Sequence, residues 1–258
     1  MGKLVNLLKI KIVRFNLIFK TLLSRPKLTN CSICQKTTFF YAEGPWLREK
    51  KRCVRCGSIP RWRALFQVLE THTSQWKSMS IHESSPYGAV SKKLKEGCSQ
   101  YTPTYFFPEV PSGFFKNGFR CENLEKQSFE DQSFDVVVTQ DVLEHVSDPR
   151  AVFQEIHRTL KNDGKHVFTV PRDISQPTEK RVKFNNNEII YLKDPEYHGN
   201  PIDNKGSLVV TDWGNDLCDL IFQWTGMKTE VISYNDDGGK ADEDSIEVFV
   251  SRKIAKKL

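Results

Sequence analysis

The chain has 258 residues, with 38 basic and 32 acidic side chains, 38% apolar and 27% charged residues, 14 Gly and 12 Pro. That balance excludes collagen-like, low-complexity and wholly disordered chains, and the length suffices for one sizeable core plus a small satellite module. The net charge of +6 is local: residues 1–30 hold seven basic side chains and no acidic one, leaving 31 basic against 32 acidic elsewhere, so the bulk of the chain is no polyanion binder by charge.

Residues 4–23 place Leu4, Val5, Leu8, Ile12, Phe15, Phe19, Leu22 and Leu23 on one stripe of a helix. Lys3, Lys11, Arg14 and Arg25 cluster away from that stripe, with Lys9 and Lys20 on a further polar flank. No charge-free run reaches half of the ~20 residues that a membrane span needs. Lys9, Lys11 and Arg14 also interrupt any signal-peptide core. Two readings follow for residues 1–28: a helix lying on an anionic membrane surface, or one docked on the chain's own body or a second protomer.

The seven cysteines are unevenly placed, and an odd count argues for a reducing, cytoplasmic setting rather than a secreted disulfide scaffold. Cys31-x2-Cys34, eighteen residues, then Cys53-x2-Cys56 is the spacing of a four-cysteine zinc ribbon over 29–65. Each pair forms a tight knuckle aiming two sulfurs at one ion, and four thiolates leave no open position, so the Zn2+ expected here is structural. Gly57 supplies a positive φ after the second knuckle, and residues 37–41 read as a strand of the intervening hairpin. Arg48, Lys50, Lys51, Arg52, Arg55, Arg61 and Arg63 are expected to offset the site's negative charge, with contact to RNA as the lesser reading. Cys98, Cys121 and Cys218 read as core or half-buried thiols.

From about residue 77 strands and helices alternate, the pattern of an open α/β sheet. Strands are expected at 79–82 and 101–107, with a helix at 89–95 between them. The run at 134–139 is nearly all apolar, as a strand buried on both faces should be. Asp148 caps the next helix, Pro149 suits its first position, Val152, Ile156 and Leu160 repeat along it, and Gly164 stops it before a strand at 165–170. A helix at about 214–225 precedes strands near 228–234 and 246–251, close enough in sequence to form an antiparallel hairpin. Ligands in such sheets sit at the carboxyl ends of the strands, which gathers 83–88, 123–124 and 140–145 around one cleft.

Ser133-Phe134-Asp135-Val136-Val137-Val138 followed by Asp141-Val142-Leu143-Glu144-His145-Val146 and Asp148-Pro149 closely resembles the region after the fourth strand of class I S-adenosylmethionine-dependent methyltransferases, of the type 11 kind. Glu155, Arg158 to Lys161 and Gly164 extend the match. The wider chain resembles such enzymes with a zinc ribbon before the core, through Cys53 to Arg63, the His82–Pro86 loop and the Pro195–Pro201 segment. The resemblance covers roughly 30–253 and implies a Rossmann-like sheet with a terminal antiparallel hairpin, making 66–258 the methyltransferase domain.

By the same resemblance, Glu83 stands beside the methionine end of S-adenosylmethionine, with Ser84, Ser85, Pro86, Tyr87 and Gly88 in the glycine-rich loop position. Asn123 stands where relatives bind the adenine amine, Leu124 flanks the ring, and Gln140, Asp141 and His145 face the sulfonium and the acceptor. Three departures stand out: one glycine in the first loop, Asn123 for the usual aspartate, and no acidic residue just past the second strand, Glu109 being too far along.

Residues 173–210 form an insertion long enough to act as a lid, carrying Tyr191, Glu196, Tyr197, His198 and Asp203. His145 and His198 are the candidate catalytic bases, although methyl transfer from a sulfonium can proceed by alignment alone. The first expectation is methyl transfer to a small-molecule or glycan-like acceptor. The alternatives are a non-catalytic binding module with an eroded cofactor loop, and RNA methylation guided by the ribbon.

Overall fold

A computed structural model describes residues 2–185, 188–199, 206–235 and 245–255, with side chains apart from those of 2–9 and 47. Asp203, residues 236–244 of the final hairpin loop, and the side chains of Lys3, Leu4, Val5, Leu8 and Lys9 lie outside it.

One eight-stranded sheet runs in the order Lys228–Tyr234, Ile246–Arg252, Leu160–Thr169, Phe134–Gln140, Ser80–Ser84, Gln100–Tyr105, Phe119–Cys121, Phe115–Lys116. The strands from Leu160–Thr169 to Phe119–Cys121 are mutually parallel, and Ile246–Arg252 lies antiparallel to both neighbours, as the hairpin reading required. After the short strand Phe119–Cys121 the chain crosses back over Ser80–Ser84 to lay down Phe134–Gln140 on its other side. That reversal puts the switch point at the carboxyl ends of these two strands, where sheets of this kind hold their ligands.

Val136, Val137 and Val138 in Phe134–Gln140 are all fully buried. Successive side chains point to opposite faces, so Val136 and Val138 join one core and Val137 the other. The first core packs Leu65, Phe66 and Leu69 of helix Pro60–His72 against Val90 and Leu94 of helix Gly88–Gly97. Cys31, Ile33 and Cys53 of the ribbon belong to this same core, and helix Pro60–His72 runs straight across residue 65. The second core packs Val152, Phe153 and Ile156 of helix Pro149–Thr159 against Leu217 and Ile221 of helix Leu217–Thr225.

Asp148 caps helix Pro149–Thr159 as expected, its Oδ1 accepting from the Ala151 amide at 3.2 Å. The end of that helix differs from expectation. It stops at Thr159 and the chain enters the next strand at Leu160, so Gly164 lies inside the strand. The register slips between Leu160 and Lys165, and a Cβ on Gly164 would come 2.9 Å from the Lys161 carbonyl of the same irregular stretch and 3.2 Å from the Asp135 carbonyl. Backbone crowding at this slip, not a helix stop, is what demands glycine there. Lys161 turns back to pair with Asp135 at 2.9 Å.

The strand expected at 37–41 is broken in two, Thr37–Thr38 pairing with Thr29–Asn30 and Phe40–Ala42 with Lys51–Cys53. The N-terminal helix Gly2–Leu23 holds to the body through Arg14, whose Nε donates to Glu43 at 2.8 Å. The described part of its apolar stripe is not covered: Ile12, Phe15, Phe19, Leu22 and Leu23 are all exposed, Phe15 at 68%. Among the described residues, no helix is long and apolar enough to cross a membrane.

Candidate active site

The four ribbon cysteines converge, their sulfurs all lying within 4.8 Å of one another and Cys31 Sγ standing 3.7 Å from Cys56 Sγ. A tetrahedral ion with bonds of about 2.3 Å sets its sulfurs about 3.8 Å apart, so the donor set fits Zn2+. Both knuckles close identically: Gln35 N–H donates to Cys31 O at 2.8 Å and Gly57 N–H to Cys53 O at 2.9 Å, with positive φ at Gln35 and Gly57. Ser58 Oγ stands 3.4 Å from Cys31 Sγ and 3.2 Å from Cys56 Sγ, an outer contact the spacing did not reveal.

The basic residues after the ribbon do not all serve its charge. Arg52 donates to Glu43 at 2.6 Å, and Arg63 is fully buried, its guanidinium 3.9 Å from the Phe40 ring centre. Arg48 and Arg61 instead reach the sheet edge. Arg61 pairs with Glu49 at 2.6 Å and with Asp141 Oδ2 at 3.0 Å, and Arg48 reaches Asp141 Oδ2 at 3.3 Å. Asp141 stands just past strand Phe134–Gln140 at φ 48°, a left-handed conformation that a non-glycine residue adopts at a cost. Its Oδ1 accepts from the Thr169 hydroxyl at 2.8 Å. Burial alone would raise its pKa, but Arg61 and Arg48 hold it below the usual carboxylate range.

Glu83 ends the first core strand fully buried. Its carboxylate accepts from the hydroxyls of Tyr101 and Ser91, the latter at 2.8 Å, and from Gln140 Nε2 at 2.5 Å. Burial raises its pKa to about 7 against the pull of those three donors. The other amide atom of Gln140, Oε1, is buried and accepts no hydrogen bond from the described residues. A cationic donor such as an ammonium group fits that oxygen, with Glu83 behind it.

The first loop is tighter than a glycine-rich cradle. Ser84 is buried, Ser85 takes a positive φ with its amide on the Thr104 carbonyl at 2.8 Å, and Tyr105 donates its hydroxyl to the Pro86 carbonyl. Gly88 faces Trp62, whose ring would lie 2.2 Å from an added Cβ, and Tyr87 meets that ring edge-on at 5.8 Å. Asn123 uses its Oδ1 to accept from the Glu125 amide at 2.9 Å, and Leu124 is buried beside it. Strand Gln100–Tyr105 ends before Phe106, which is exposed, while Glu109 is paired with Lys116 on the following hairpin.

The insertion folds over the loop after strand Phe134–Gln140 as short paired segments. Tyr197–His198 pairs with Ser207–Leu208, and the amides of Val210 and Thr211 donate to the Glu144 carbonyl at 2.7 and 3.1 Å. This brings the two candidate histidines together, their ring centres 5.1 Å apart. Between them lies a residue to which sequence reasoning assigned no role: Glu144, 1% exposed, with neither carboxylate oxygen accepting a hydrogen bond from the described residues. His198 Nδ1 lies 3.5 Å and His145 Nε2 3.7 Å from Glu144 Oε1. Glu144 and then Glu196 raise the pKa of His198. The sequence signal for Glu144 was its place beside His145, in a run otherwise read for its histidine.

The buried imidazoles of His82 and His166 serve packing. His82 stacks on Phe134 and bonds Thr104 at 2.9 Å, His166 stacks on Phe168 and bonds Thr139 at 3.0 Å, and burial lowers both to a pKa of about 3. A cavity of about 480 Å³ among Asp131, His157, Arg158 and Lys253 lies at the opposite, amino edge of the sheet, where the switch-point rule places no ligand.

Residues 87–168 match the family described as methyltransferase domain; the match begins just past the Glu83–Pro86 turn and ends before the insertion. No curated protein matches the chain. Among solved structures, an S-adenosylmethionine-dependent methyltransferase from Mesorhizobium loti is 16% identical, over 74% of this chain and 98% of its own, with a TM-score of 0.49. The 1,6-didemethyltoxoflavin-N1-methyltransferase of Burkholderia thailandensis is 12% identical, over 76% and 79%, with a TM-score of 0.48. A chain from the complex of the Haloferax volcanii Trm112 methyltransferase activator with a methyltransferase is 14% identical, over 73% and 93%, with a TM-score of 0.46.

Proposed function

We propose that this chain, whose residues 87–168 match the methyltransferase-domain family, transfers a methyl group from S-adenosylmethionine to a small-molecule or glycan-like acceptor held between the Asp141–His145 loop and the insertion. The carrying observation is the unpartnered Gln140 Oε1, locked in place by Glu83 at the switch point of the sheet. Bound there, S-adenosylmethionine supplies a methyl group already activated on a sulfonium. Gln140 would accept from the methionine ammonium, with Glu83 orienting Gln140. Ser84, Ser85, Pro86 and Gly88 would line the loop beneath the donor, and Asn123 and Leu124 would take the adenine side. His145, Glu144 and His198 form the polar wall on the acceptor side, and the insertion excludes water from it.

RNA is disfavoured as acceptor because Arg48, Arg52 and Arg61 are already paired with carboxylates of the chain itself. The four-cysteine cluster is read as a structural Zn2+ site, because its donors are closed and partly buried.

Calorimetric titration with S-adenosylmethionine tests the reading. Binding is expected to weaken in Gln140→Ala. It is also expected to tighten roughly fivefold from pH 6 to pH 7, because Glu83 with a folded pKa of about 7 must lose its proton to face a cation. Glu83→Gln should flatten that dependence. Neither heat nor a thermal shift at millimolar ligand would favour the non-catalytic module, for which Trp62 against Gly88 is the structural argument.

The N-terminal helix is read as an anionic-membrane contact, since its apolar stripe is exposed and residues 1–30 carry no acidic side chain. Co-sedimentation of the full chain with vesicles rich in phosphatidylserine should fall with added salt and be lost in Phe15→Glu/Phe19→Glu. Sedimentation unaffected by that double change would sink the membrane reading.

A further inference from the structure

We propose that Glu144, His145 and His198 hold one divalent transition-metal ion, distinct from the ion of the ribbon. The ribbon cluster is built of thiolates alone, whereas this trio offers one carboxylate and two imidazoles, with its three donor atoms within 4.8 Å of one another.

Three features of the trio agree with metal ligation. First, spacing: a four-coordinate ion with bonds of about 2.1 Å sets its donors about 3.4 Å apart. His198 Nδ1 and His145 Nε2 already stand 3.5 and 3.7 Å from Glu144 Oε1. Second, each histidine occupies its other ring nitrogen with an outer acceptor, as metal-bound histidines do. His145 Nδ1 stands 2.9 Å from the Leu208 carbonyl, which fixes the proton on Nδ1 and leaves the Nε2 lone pair toward Glu144. His198 Nε2 stands 3.3 Å from the Glu196 carboxylate, leaving Nδ1 for the same purpose. Third, Glu144 is 1% exposed and, among the described residues, neither of its oxygens has a hydrogen-bond partner, an arrangement that is costly for a carboxylate unless a cation completes it.

Two imidazoles with one carboxylate suit Zn2+, Co2+, Ni2+ or Fe2+ rather than Mg2+ or Ca2+, which take oxygen donors. Three protein ligands leave a coordination position open. For the chemistry of that open position the inference rests on the methyl-transfer reading: the ion would take an oxygen or nitrogen of the acceptor and favour its ionised form, a task otherwise left to a histidine base. Binding of the ion itself needs no methyl donor, so the two readings fail separately.

The test uses the full chain with its ribbon metal in place, equilibrated with Co2+ and freed of loosely held ion. Metal per chain is then counted, and the visible spectrum is recorded. The expected result is a second ion per chain whose ligand-field bands carry no thiolate charge transfer. His198→Ala and Glu144→Gln should abolish that ion while leaving the ribbon's, and Glu196→Gln, at an exposed position, should weaken it roughly tenfold to a hundredfold. Circular dichroism identifies any variant that fails to fold, and Glu196→Gln then carries the test. One ion per chain in the parent protein, or a second ion indifferent to His198→Ala and Glu196→Gln, overturns the proposal. The trio would then be an imidazolium held between two glutamates.

Discussion

Removing the Zn2+ proposed for the four-cysteine cluster with a chelator is expected to unfold residues 29–59 and to loosen the carboxyl edge of the sheet with them. A structural Zn2+ contributes on the order of 10 kcal/mol to the fold of its own module. Without it, Cys31 and Cys53, each 1% exposed, would be packed against two further thiols with no ion to hold them. The effect spreads because Cys31, Ile33 and Cys53 share one hydrophobic core with Leu65, Val90 and Val136. Arg48 leaves that module to reach Asp141, and helix Pro60–His72, which follows it directly, carries Arg61 to Asp141 and Trp62 to Gly88. Limited proteolysis should show cleavage between residues 31 and 57 after chelation, restored to resistance by Zn2+, together with weakened S-adenosylmethionine binding. A ribbon that stays protease-resistant once metal analysis shows the ion gone would contradict this.

Replacing Asp141 with Ala is expected to destabilise the chain by about 3 kcal/mol, equivalent to roughly 8 °C in Tm for a domain of this size. The substitution strands Arg48 and Arg61, whose side chains are 23% and 12% exposed, beside the single remaining carboxylate of Glu49. The sign with pH follows from the depressed pKa of Asp141. Its stabilisation is present above the ordinary carboxylate range and is lost as pH falls through the lower folded value, so the gap between parent and variant should close in acid. Pairing Asp141→Ala with Glu49→Ala in a double-mutant cycle should show strong non-additivity, because the two carboxylates share Arg61. Additive losses would mean that the arginines find water instead. Urea titrations at neutral and acid pH measure both effects.

Much of this architecture was legible in local pattern. The four cysteines, the cap at Asp148, the nearly all-apolar run at 134–139 and the closing hairpin each depend on residues a few positions apart, or on a face repeating every two or four residues. The short third strand Phe119–Cys121 left no such trace, because three residues are too few to display a period. Gly164 was misplaced for a related reason. A glycine after a helical run reads as a helix stop, and only the folded chain shows that its missing side chain makes room for the carbonyls of Lys161 and Asp135.

The amino-acid sequence by itself determined the thiolate cluster, the order of the sheet's main elements and the family of the central segment, since all three are written in short-range spacing. The tertiary structure alone decided that Arg48 crosses 93 positions to meet Asp141, that Trp62 fills the space beside Gly88, and that an insertion residue, His198, arrives at Glu144. Those meetings depend on the path of the chain around the sheet, and no periodicity in the residues encodes which distant side chain a buried charge will find.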